Sequence, residues 1–302
     1  MSPTHLVTVP ASTANLGAGF DCLALALELR NRIEVTDSGE GSGLALSVEG
    51  EGAQSVPRDE RNLIVRSMER VFQVVGRRPA GRLRIHAVNG IPLGSGMGSS
   101  AATIVGGLAA ANALVQGGLD RAALLRMAYA IEGHPDNVAA AVYGGLVVVS
   151  ADGETLQTQA VPVPPLRVVI ALPAMRLSTA EARAALPAQV PLVDAVFNVG
   201  HALFTVQALA NGDEALLRWA MADRLHQPYR QKLIPGYSAV EAAAREAGAV
   251  AVALSGAGPS LVAFAAGNHA AIAQAMEQAF KAHGLACRTF VLPVAEKGVT
   301  GN

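Results

Sequence analysis

A segment without a single Asp, Glu, Lys or Arg residue runs from Ile85 to Leu119 and limits what this chain can fold into. A membrane-spanning helix needs about 20 predominantly apolar residues in succession. Glycines and serines at positions 94–100 interrupt the apolar pattern, and glycines also interrupt a second charge-free segment at 247–267. The two segments therefore predict buried strands and helices joined to glycine loops, and no membrane span.

The composition is that of a globular chain with a large apolar core. A length of 302 residues is enough for about two domains. Of these residues, 51% are hydrophobic and 16% are charged, which argues against long disordered segments. The net charge of -1 argues against nucleic acid as a partner, because such binding requires basic excess. Cys22 and Cys287 form no C-x-x-C pair, and the first residues show no signal-peptide pattern. We expect a reducing, cytoplasmic location.

The glycine loop in Ile91-Pro-Leu-Gly-Ser-Gly-Met-Gly-Ser-Ser-Ala-Ala102 is the strongest indication of chemistry. Glycines at alternate positions allow positive φ angles and close approach of a ligand to the backbone. We expect Ser99 or Ser100 to cap the apolar helix that follows. A helix start offers free N–H groups and a partial positive charge, so the loop predicts a polyphosphate site. An ordinary strand-to-helix turn is the alternative.

The lysine content narrows the kind of phosphate site. No lysine precedes Lys232, so neither a Walker A motif nor a kinase-type strand lysine is possible in the first half of the chain. Backbone amides and arginines must then hold the phosphate. The G-x-G-x-G spacing, with the next acidic residue at Asp120, also argues against a dinucleotide-binding fingerprint.

The segment Glu132-Gly-His-Pro-Asp-Asn137 is predicted as a polar loop at a helix end. Taken alone, it fits helix capping. Beside a phosphate site, however, a carboxylate becomes a reasonable Mg²⁺ ligand, because Mg²⁺ is held by one or two carboxylates and by phosphate oxygens. His134 has no partner at metal-ligand spacing, so we do not predict it as a metal ligand.

Four further polar residues are candidates for substrate binding. Asn15 and Asp21 lie among small residues in the first turn, where a buried carboxylate would need a partner. Arg183 and Arg230 are candidates for gripping a substrate carboxylate, which guanidinium groups bind in bidentate fashion. Solvated helix faces are the alternative for both arginines.

The order of the predicted elements favours an α+β fold in two parts. Strands and helices recur without the strict alternation of a doubly wound sheet. The proline-rich segment 161–165 predicts a junction between domains at 1–160 and 161–302.

Three segments, at 10–21, 91–102 and 253–261, resemble the signature motifs of the GHMP small-molecule kinases in order and spacing. This superfamily is named for galactokinase, homoserine kinase, mevalonate kinase and phosphomevalonate kinase. The sugar-binding signature of galactokinases is missing, and Asn137 stands where mevalonate-type kinases have an aspartate, their proposed base. The sequence most resembles the homoserine kinase family, on the segments Ala11-Ser-Thr-Ala-Asn-Leu-Gly-Ala-Gly-Phe-Asp21, Glu132-Gly-His-Pro-Asp-Asn137, Leu177-Ser-Thr-Ala-Glu-Ala-Arg183 and Tyr229-Arg-Gln-Lys-Leu-Ile-Pro235.

The resemblance implies a two-domain GHMP kinase fold, with a ribosomal-protein-S5-like N-terminal domain and a ferredoxin-like C-terminal domain. It implies ATP between them, with Asn62 near the adenine. It also implies Mg²⁺ bound by Glu132 and Ser100, with Ser99 as the alternative serine. The loop residues around the phosphates would be Pro92, Leu93, Gly94, Ser95, Gly96, Met97, Gly98, Ser99, Ser100, Ala101 and Ala102.

The resemblance further implies L-homoserine as the small-molecule substrate and a homodimer as a possible assembly. Asn15, Asp21, His134 and Asn137 would line the substrate pocket, and Arg183 and Arg230 would hold its carboxylate. The catalytic residues would be Asn137, Thr179 and Arg183. Another kinase of the superfamily, acting on a different hydroxyl, and a nucleotide-binding regulator without activity are the alternatives.

Overall fold

The computed structural model describes residues 3–153 and 155–301 and forms two α+β units around two sheets. Buried and more exposed side chains alternate along part of the first sheet, as at residues 31–36, whereas Ala251–Leu254 and Leu261–Phe264 in the second sheet are buried along their whole length. The strands are β1 (Thr4–Ala14), β2 (Leu23–Asp37), β3 (Leu44–Gly50), β4 (Leu83–Asn89), β5 (Leu146–Asp152), β6 (Thr155–Val161), β7 (Arg167–Pro173), β8 (Ala251–Leu254), β9 (Leu261–Phe264), β10 (Cys287–Pro293) and β11 (Thr300–Gly301).

Four of the described helices begin after a residue whose side chain accepts a hydrogen bond from the first turn. Asp120 is one of these residues and accepts a hydrogen bond from the N–H of Ala123. The helices are α1 (Leu63–Val75), α2 (Ser99–Leu114), α3 (Arg121–Glu132), α4 (Asp136–Tyr143), α5 (Thr179–Ala184), α6 (Leu192–Asn211), α7 (Glu214–Ala220), α8 (Gln227–Arg230), α9 (Tyr237–Glu246) and α10 (His269–Ala282).

The first sheet is organised around the long strand β2. Strand β1 pairs with it along its length, while the other edge of β2 pairs with β5 at Leu23–Leu25 and with β4 at Arg32–Asp37. The order is β11-β1-β2-β4-β3, with the β5–β6 hairpin branching from β2. The charge-free helix α2 packs on this sheet and buries ten of its residues, which agrees with its uniform apolar sequence.

The second sheet has the order β10-β7-β9-β8, and all of its pairs are antiparallel. With α9 before β8 and α10 after β9, the unit has the βαββαβ connectivity of a ferredoxin-like domain. This agrees with the α+β expectation. Its core is a separate apolar cluster that includes Val169, Tyr237, Leu261 and Phe280.

The C-terminal residues leave the second unit and return to the first. The N–H of Ala295 donates to the carbonyl of Ala26, and Val7 lies opposite Gly301 across the β1–β11 pair. The division at 160 and 161 stays a prediction, but residues 294–301 pack on the first sheet, because their backbone pairs with it.

Three local expectations were wrong. Neither serine caps α2, because the N-cap is Gly98, which provides no side-chain hydrogen bond. The segment at 132–137 is not one loop, since Glu132 ends α3 and Asp136 begins α4. The turn expected at 10–21 begins late, because β1 continues to Ala14 past a bulge at Pro10.

Within the described residues, α6 is the one helix that is long and apolar enough to cross a membrane by length and composition. Its 18-residue window has a mean hydropathy of 1.4 and is 28% buried. A single helix of this kind is weak evidence for a membrane span.

Candidate active site

A polar pocket of about 150 Å³ lies between the two units, where the glycine loop faces β8–β9. It brings together residues that are distant in the sequence, from the first turn to the loop after β8. The sequence-predicted residues that line it are Asn15, Asp21, Gly94, Ser95, Gly96, Gly98, Ser99, Ser100, Glu132, His134, Asn137, Thr179, Arg183 and Arg230.

The remaining predicted residues lie elsewhere. Asn62 and Leu93 line a neighbouring cavity of about 280 Å³. This cavity shares Gly94, Ser99 and Ser100 with the polar pocket. Asn62 caps α1 by accepting from the N–H of Ile64, and it donates to the carbonyl of Pro57. The other loop residues line neither cavity, because their side chains are buried in the fold: Pro92, Met97, Ala101 and Ala102.

The glycine loop has the backbone geometry of an anion site. Gly94, Gly96 and Gly98 have φ angles of 60°, 76° and 68°, in the left-handed region that favours glycine. Since Gly98 leaves the first turn of α2 without a side-chain cap, the amides there keep their hydrogen-bonding capacity for a ligand. The helix dipole adds a partial positive charge at the same place.

The third motif supports this loop from the second unit. The Ser255 hydroxyl donates a 2.7 Å hydrogen bond to the carbonyl of Gly96. A Cβ atom at Gly96 would lie 2.3 Å from the Ser255 carbonyl oxygen and 2.8 Å from that of Gly258, so only glycine fits. The Asn15 amide donates a 2.8 Å bond to the carbonyl of Gly256 and thereby ties the first turn to the same motif.

The two residues expected at the metal lie in contact. The Ser100 hydroxyl donates a 2.7 Å hydrogen bond to Glu132 Oε2, whereas the Ser99 hydroxyl donates to the carbonyl of Ile91 at 3.4 Å and is buried. No group of three or more histidine, cysteine or acidic side chains that could hold a metal occurs in the described part of the chain. One carboxylate and one hydroxyl beside a phosphate site fit Mg²⁺, which takes most of its remaining ligands from water and phosphate.

Asn137 lies at the start of α4 between two side chains from different parts of the chain. Its Oδ1 accepts a 2.8 Å hydrogen bond from the Ser12 hydroxyl, and its backbone N–H donates to Asp136 Oδ1 at 2.7 Å. Burial and, to a smaller extent, the nearby Asp21 carboxylate raise the pKa of Asp136 to about 7. An ammonium group that entered the pocket would stabilise the charged form of Asp136.

Charged side chains of both signs line the substrate end of the pocket. Arg183 Nη2 donates a 2.7 Å bond to Asp21 Oδ1, while its Nε is buried and lacks a hydrogen-bond partner among the described residues. Arg230 is buried, and its Nε donates to the carbonyl of Ala182 at 3.1 Å. Burial, followed by the charge of Arg183, lowers the pKa of His134, so its imidazole is neutral at pH 7.

Thr179 begins α5 at the rim of the pocket. Ser178 and Glu181 form a reciprocal capping box there, with Ser178 Oγ accepting from the Glu181 N–H and the Glu181 carboxylate accepting from Ser178. This box fixes the start of the helix and leaves the Thr179 side chain exposed.

Sequence reasoning missed several residues of the site. It did not assign Asp136 to the pocket, although this residue lies in the same polar segment as His134 and Asn137. It also missed Leu177, Ser178 and the backbone of Ala257, which line the pocket through positions that only the fold reveals. A larger cavity of about 780 Å³, lined by Leu166, Phe264 and others, contains none of the predicted residues.

The chain matches two family models, GHMP kinases N terminal domain at residues 62–145 and GHMP kinases C terminal at residues 205–283. The chain therefore belongs to the GHMP kinase family, and the two-domain fold inferred from the motifs is confirmed. Homoserine kinases are among its relatives. That of Moorella thermoacetica is 46% identical over 93% of this chain and 94% of the relative, and that of Gloeobacter violaceus is 47% identical over 90% of each.

Solved structures agree with this assignment. A crystal structure of homoserine kinase from Cytophaga hutchinsonii superposes with a TM-score of 0.90 at 32% identity, covering 100% of this chain and 98% of the other. A crystal structure of L. major mevalonate kinase in complex with R-mevalonate has a TM-score of 0.73 at 18% identity, over 95% of this chain and 94% of the other. At that identity, the second likeness concerns the fold alone.

Proposed function

We propose that the protein transfers the γ-phosphoryl group of ATP to the side-chain hydroxyl of L-homoserine and forms O-phospho-L-homoserine. The observation that carries the proposal is one pocket in which an uncapped helix start adjoins a group of charged side chains: Arg183, Arg230, Asp21 and Asp136. The first feature suits a polyphosphate, and the second suits a zwitterionic amino acid. The homoserine kinases among the relatives support the choice of substrate.

The amino acid would be held at both of its charged ends. Arg183 is half-buried with an unpaired Nε, and Arg230 adds a fully buried guanidinium, so the two suit a carboxylate. The substrate ammonium would then lie toward Asp21 and Asp136. Asn15 fits as a support of this end, because its Oδ1 accepts the backbone N–H of Asp21 at 3.0 Å. His134, neutral at pH 7, completes the lining without adding charge.

The nucleotide would bind with its phosphates on the amides at the start of α2 and its base in the neighbouring cavity lined by Asn62. No lysine lies near the loop, so oriented N–H groups would supply most of the electrostatic stabilisation. Ser100 and Glu132 would hold Mg²⁺. When bound, the ion would neutralise part of the charge on the phosphate oxygens.

Transfer would be direct and in line, without a phosphorylated enzyme. The substrate hydroxyl oxygen would bond to the γ-phosphorus as the bond to the ADP oxygen breaks, and the hydroxyl proton would pass to the transferred phosphate or to water. Asn137 cannot take that proton, so its part would be to orient the hydroxyl, with Thr179 near the transferred group. A loose transition state depends on positioning and charge neutralisation, which is what this pocket offers.

One assay tests the proposal. The purified protein is mixed with MgATP and a panel of hydroxyl compounds, and ADP release is measured, with the product identified by ³¹P NMR. Release with L-homoserine alone is the expected result. Release with mevalonate or another alcohol, but not with L-homoserine, would assign a different substrate. No release with any compound, together with nucleotide binding, would indicate a regulator.

We further propose that the protein acts as a homodimer in the cytoplasm, and that a second copy covers the exposed face of α6. Leu192, Val196, Val199 and Leu203 follow the 4-3-4 spacing of a helix–helix seam, and no charged residue lies between Asp194 and Asn211. Both cysteines are free thiols, which suits a reducing compartment.

The size of this apolar face fits a dimer. The exposed parts of its seven large side chains amount to on the order of 700 Å², close to the ~800 Å² that each partner buries in a standard interface. Light scattering should give a dimer for the protein and a monomer for Val196→Glu/Leu203→Glu. A monomeric parent protein would refute the dimer, and binding to neutral lipid vesicles would assign the face to a membrane. The seven side chains of this apolar face are Leu192, Val193, Val196, Val199, Leu203 and Phe204 of α6 and Trp219 of the adjoining α7.

A further inference from the structure

Arg230 is a buried cation that neutral groups hold in place. Its side chain is 1% exposed, yet it lines the polar pocket. Nε donates to the carbonyl of Ala182 at 3.1 Å, and Nη1 lies 3.5 Å from both the Gly256 carbonyl oxygen and His226 Nδ1. Within residues 3–153 and 155–301, no carboxylate pairs with it as Asp21 pairs with Arg183. Its charge is therefore left for a ligand, provided that these acceptors fix its position.

The hydrogen bonds of His226 fix which of its nitrogens can accept. Its ring is fully buried, and Nε2 lies 2.8 Å from the carbonyl oxygen of Gly17. A carbonyl oxygen only accepts, so Nε2 carries the proton and Nδ1 is left with its lone pair toward Arg230. Burial lowers the pKa of His226, and the charge of Arg230 acts in the same direction, against the opposing effect of Asp223. The ring is thus neutral at pH 7.

Two other groups hold His226 in this orientation. Phe20 stacks on the imidazole, with 5.2 Å between ring centroids, and its ring also lies 5.0 Å from Arg230 Cζ and 5.5 Å from Arg183 Cζ. Asp223 accepts hydrogen bonds from three successive backbone amides at 225–227, including that of His226. The backbone turn and the ring plane of His226 are therefore both constrained, and the same aromatic ring touches the two arginines.

We propose that His226 is a positioning residue for substrate recognition: as the Nε2–H tautomer, it offers Nδ1 to Arg230 and aims that guanidinium at the carboxylate of the amino-acid substrate. The inference rests on the proposed homoserine kinase function. It adds a residue that contacts neither the glycine loop nor the residues at the candidate metal site. It also gives the turn at residues 17–20 a role in substrate selection, because the carbonyl of Gly17 and the ring of Phe20 orient His226.

Two matched variants separate the two nitrogens. His226→Gln keeps a donor where Nε2 lies but loses the acceptor near Arg230, whereas His226→Asn keeps an acceptor where Nδ1 lies but loses the donor to Gly17. We expect His226→Gln to lower kcat/KM for L-homoserine about tenfold or more, the size expected for losing a hydrogen bond to a charged group. The KM for ATP and the melting temperature should stay close to those of the parent, and the loss in His226→Asn should be clearly smaller than that in His226→Gln, because the acceptor near Arg230 is kept.

A double-mutant cycle with Arg230→Met gives the decisive comparison. His226→Gln should have no further effect on kcat/KM for L-homoserine once Arg230 is gone, because its effect acts through that residue. Equal losses in the Gln and Asn variants, or a full additional loss in the Arg230→Met background, would overturn the inference. Failure of the proposed function would look different, since the unsubstituted protein would not phosphorylate L-homoserine at all.

A measurement on the unsubstituted protein covers the case in which a variant does not fold. Nitrogen-15 NMR of labelled histidine should show His226 as a neutral imidazole with the proton on Nε2 at pH 7. A proton on Nδ1, or on both nitrogens, would remove the acceptor from Arg230 and refute the proposal.

Discussion

The Ser100 hydroxyl donates a hydrogen bond to the Glu132 carboxylate and so joins the first turn of α2 to the last residue of α3. The two helices follow one another in the chain, and Ser100 at the start of α2 and Glu132 at the end of α3 place one hydroxyl and one carboxylate side by side at the edge of the glycine loop. The contact explains why two separate segments are needed to build one candidate Mg²⁺ site.

Replacing Glu132 tests that site. Glu132→Gln keeps the hydrogen bond from Ser100 but removes the charge that a cation requires, so we expect kcat to fall about 100-fold or more at fixed Mg²⁺. The Mg²⁺ concentration for half-maximal activity should rise. Ser100→Thr is the matched control, because it retains the hydroxyl. An unchanged Mg²⁺ dependence in Glu132→Gln would remove this residue from the metal site.

Gly96→Ala should disrupt the glycine loop more than Gly94→Ala. Both positions have positive φ, so alanine carries a similar backbone cost of about 1–2 kcal/mol at each. Only at Gly96 would the new Cβ meet backbone atoms, whereas nothing lies within 4 Å of a Cβ at Gly94. We expect the larger loss of ATP affinity and of unfolding free energy in Gly96→Ala. Equal losses in the two variants would contradict the close approach to Ser255 and Gly258.

Asn137→Ala should lower turnover about tenfold or more while leaving the ATP KM nearly unchanged. The substitution removes the amide proposed to orient the substrate hydroxyl and breaks the bond from Ser12. Ser12→Ala is the control, because it breaks the same bond and keeps the amide. Steady-state kinetics with L-homoserine distinguish the two. Unchanged turnover in Asn137→Ala would exclude it from the reaction.

Asp136 should give the activity a pH dependence near neutrality. Its pKa of about 7 means that the carboxyl is protonated below that pH in the free protein and can no longer pair with an ammonium group. We therefore expect kcat/KM for L-homoserine to fall as the pH drops below about 7, since this ratio reports the free enzyme. Asp136→Asn should have low kcat/KM at all pH values and should lack this decline.

The same carboxyl predicts an opposite trend in stability. A folded-state pKa raised above the unfolded value stabilises the protein at low pH, and this contribution is lost as the pH rises through about 7. Between about pH 4 and 7 the loss amounts to at most about 4 kcal/mol. Urea unfolding should show this decline in the parent and a flatter profile in Asp136→Asn. Parallel profiles would refute a buried, protonated Asp136.

The sequence predicted the structure best in segments with a uniform apolar composition. The charge-free pattern before Leu114 predicted a buried helix, and the charge-free segment at 247–267 holds the predicted buried strands, β8 and β9, on either side of a glycine loop. The three motifs predicted the family and the two-domain fold, which the relatives confirm. The roles of the individual site residues stay predictions.

Other features could not be read from the sequence because they depend on contacts between distant segments. His226 looks like an ordinary helix-end histidine until the fold places its ring between Gly17 and Arg230. Asp136 looked like a capping residue, and only its burial beside Asp21 shows a carboxyl with a raised pKa. The N-cap of α2 was misassigned because Gly98, which has a positive φ angle and no side chain, takes the cap position just before Ser99.

The pairing of Val7 with Gly301 has a consequence for biosynthesis. The first strand emerges from the ribosome about three hundred residues before its edge partner, so that edge has no native neighbour during nearly all of translation. A nascent chain stalled before residue 294 would also lack the backbone bonds to Ala26 and Gly145. Loss of these last few residues should therefore appear as aggregation of newly made chains, even though none of them lines the pocket.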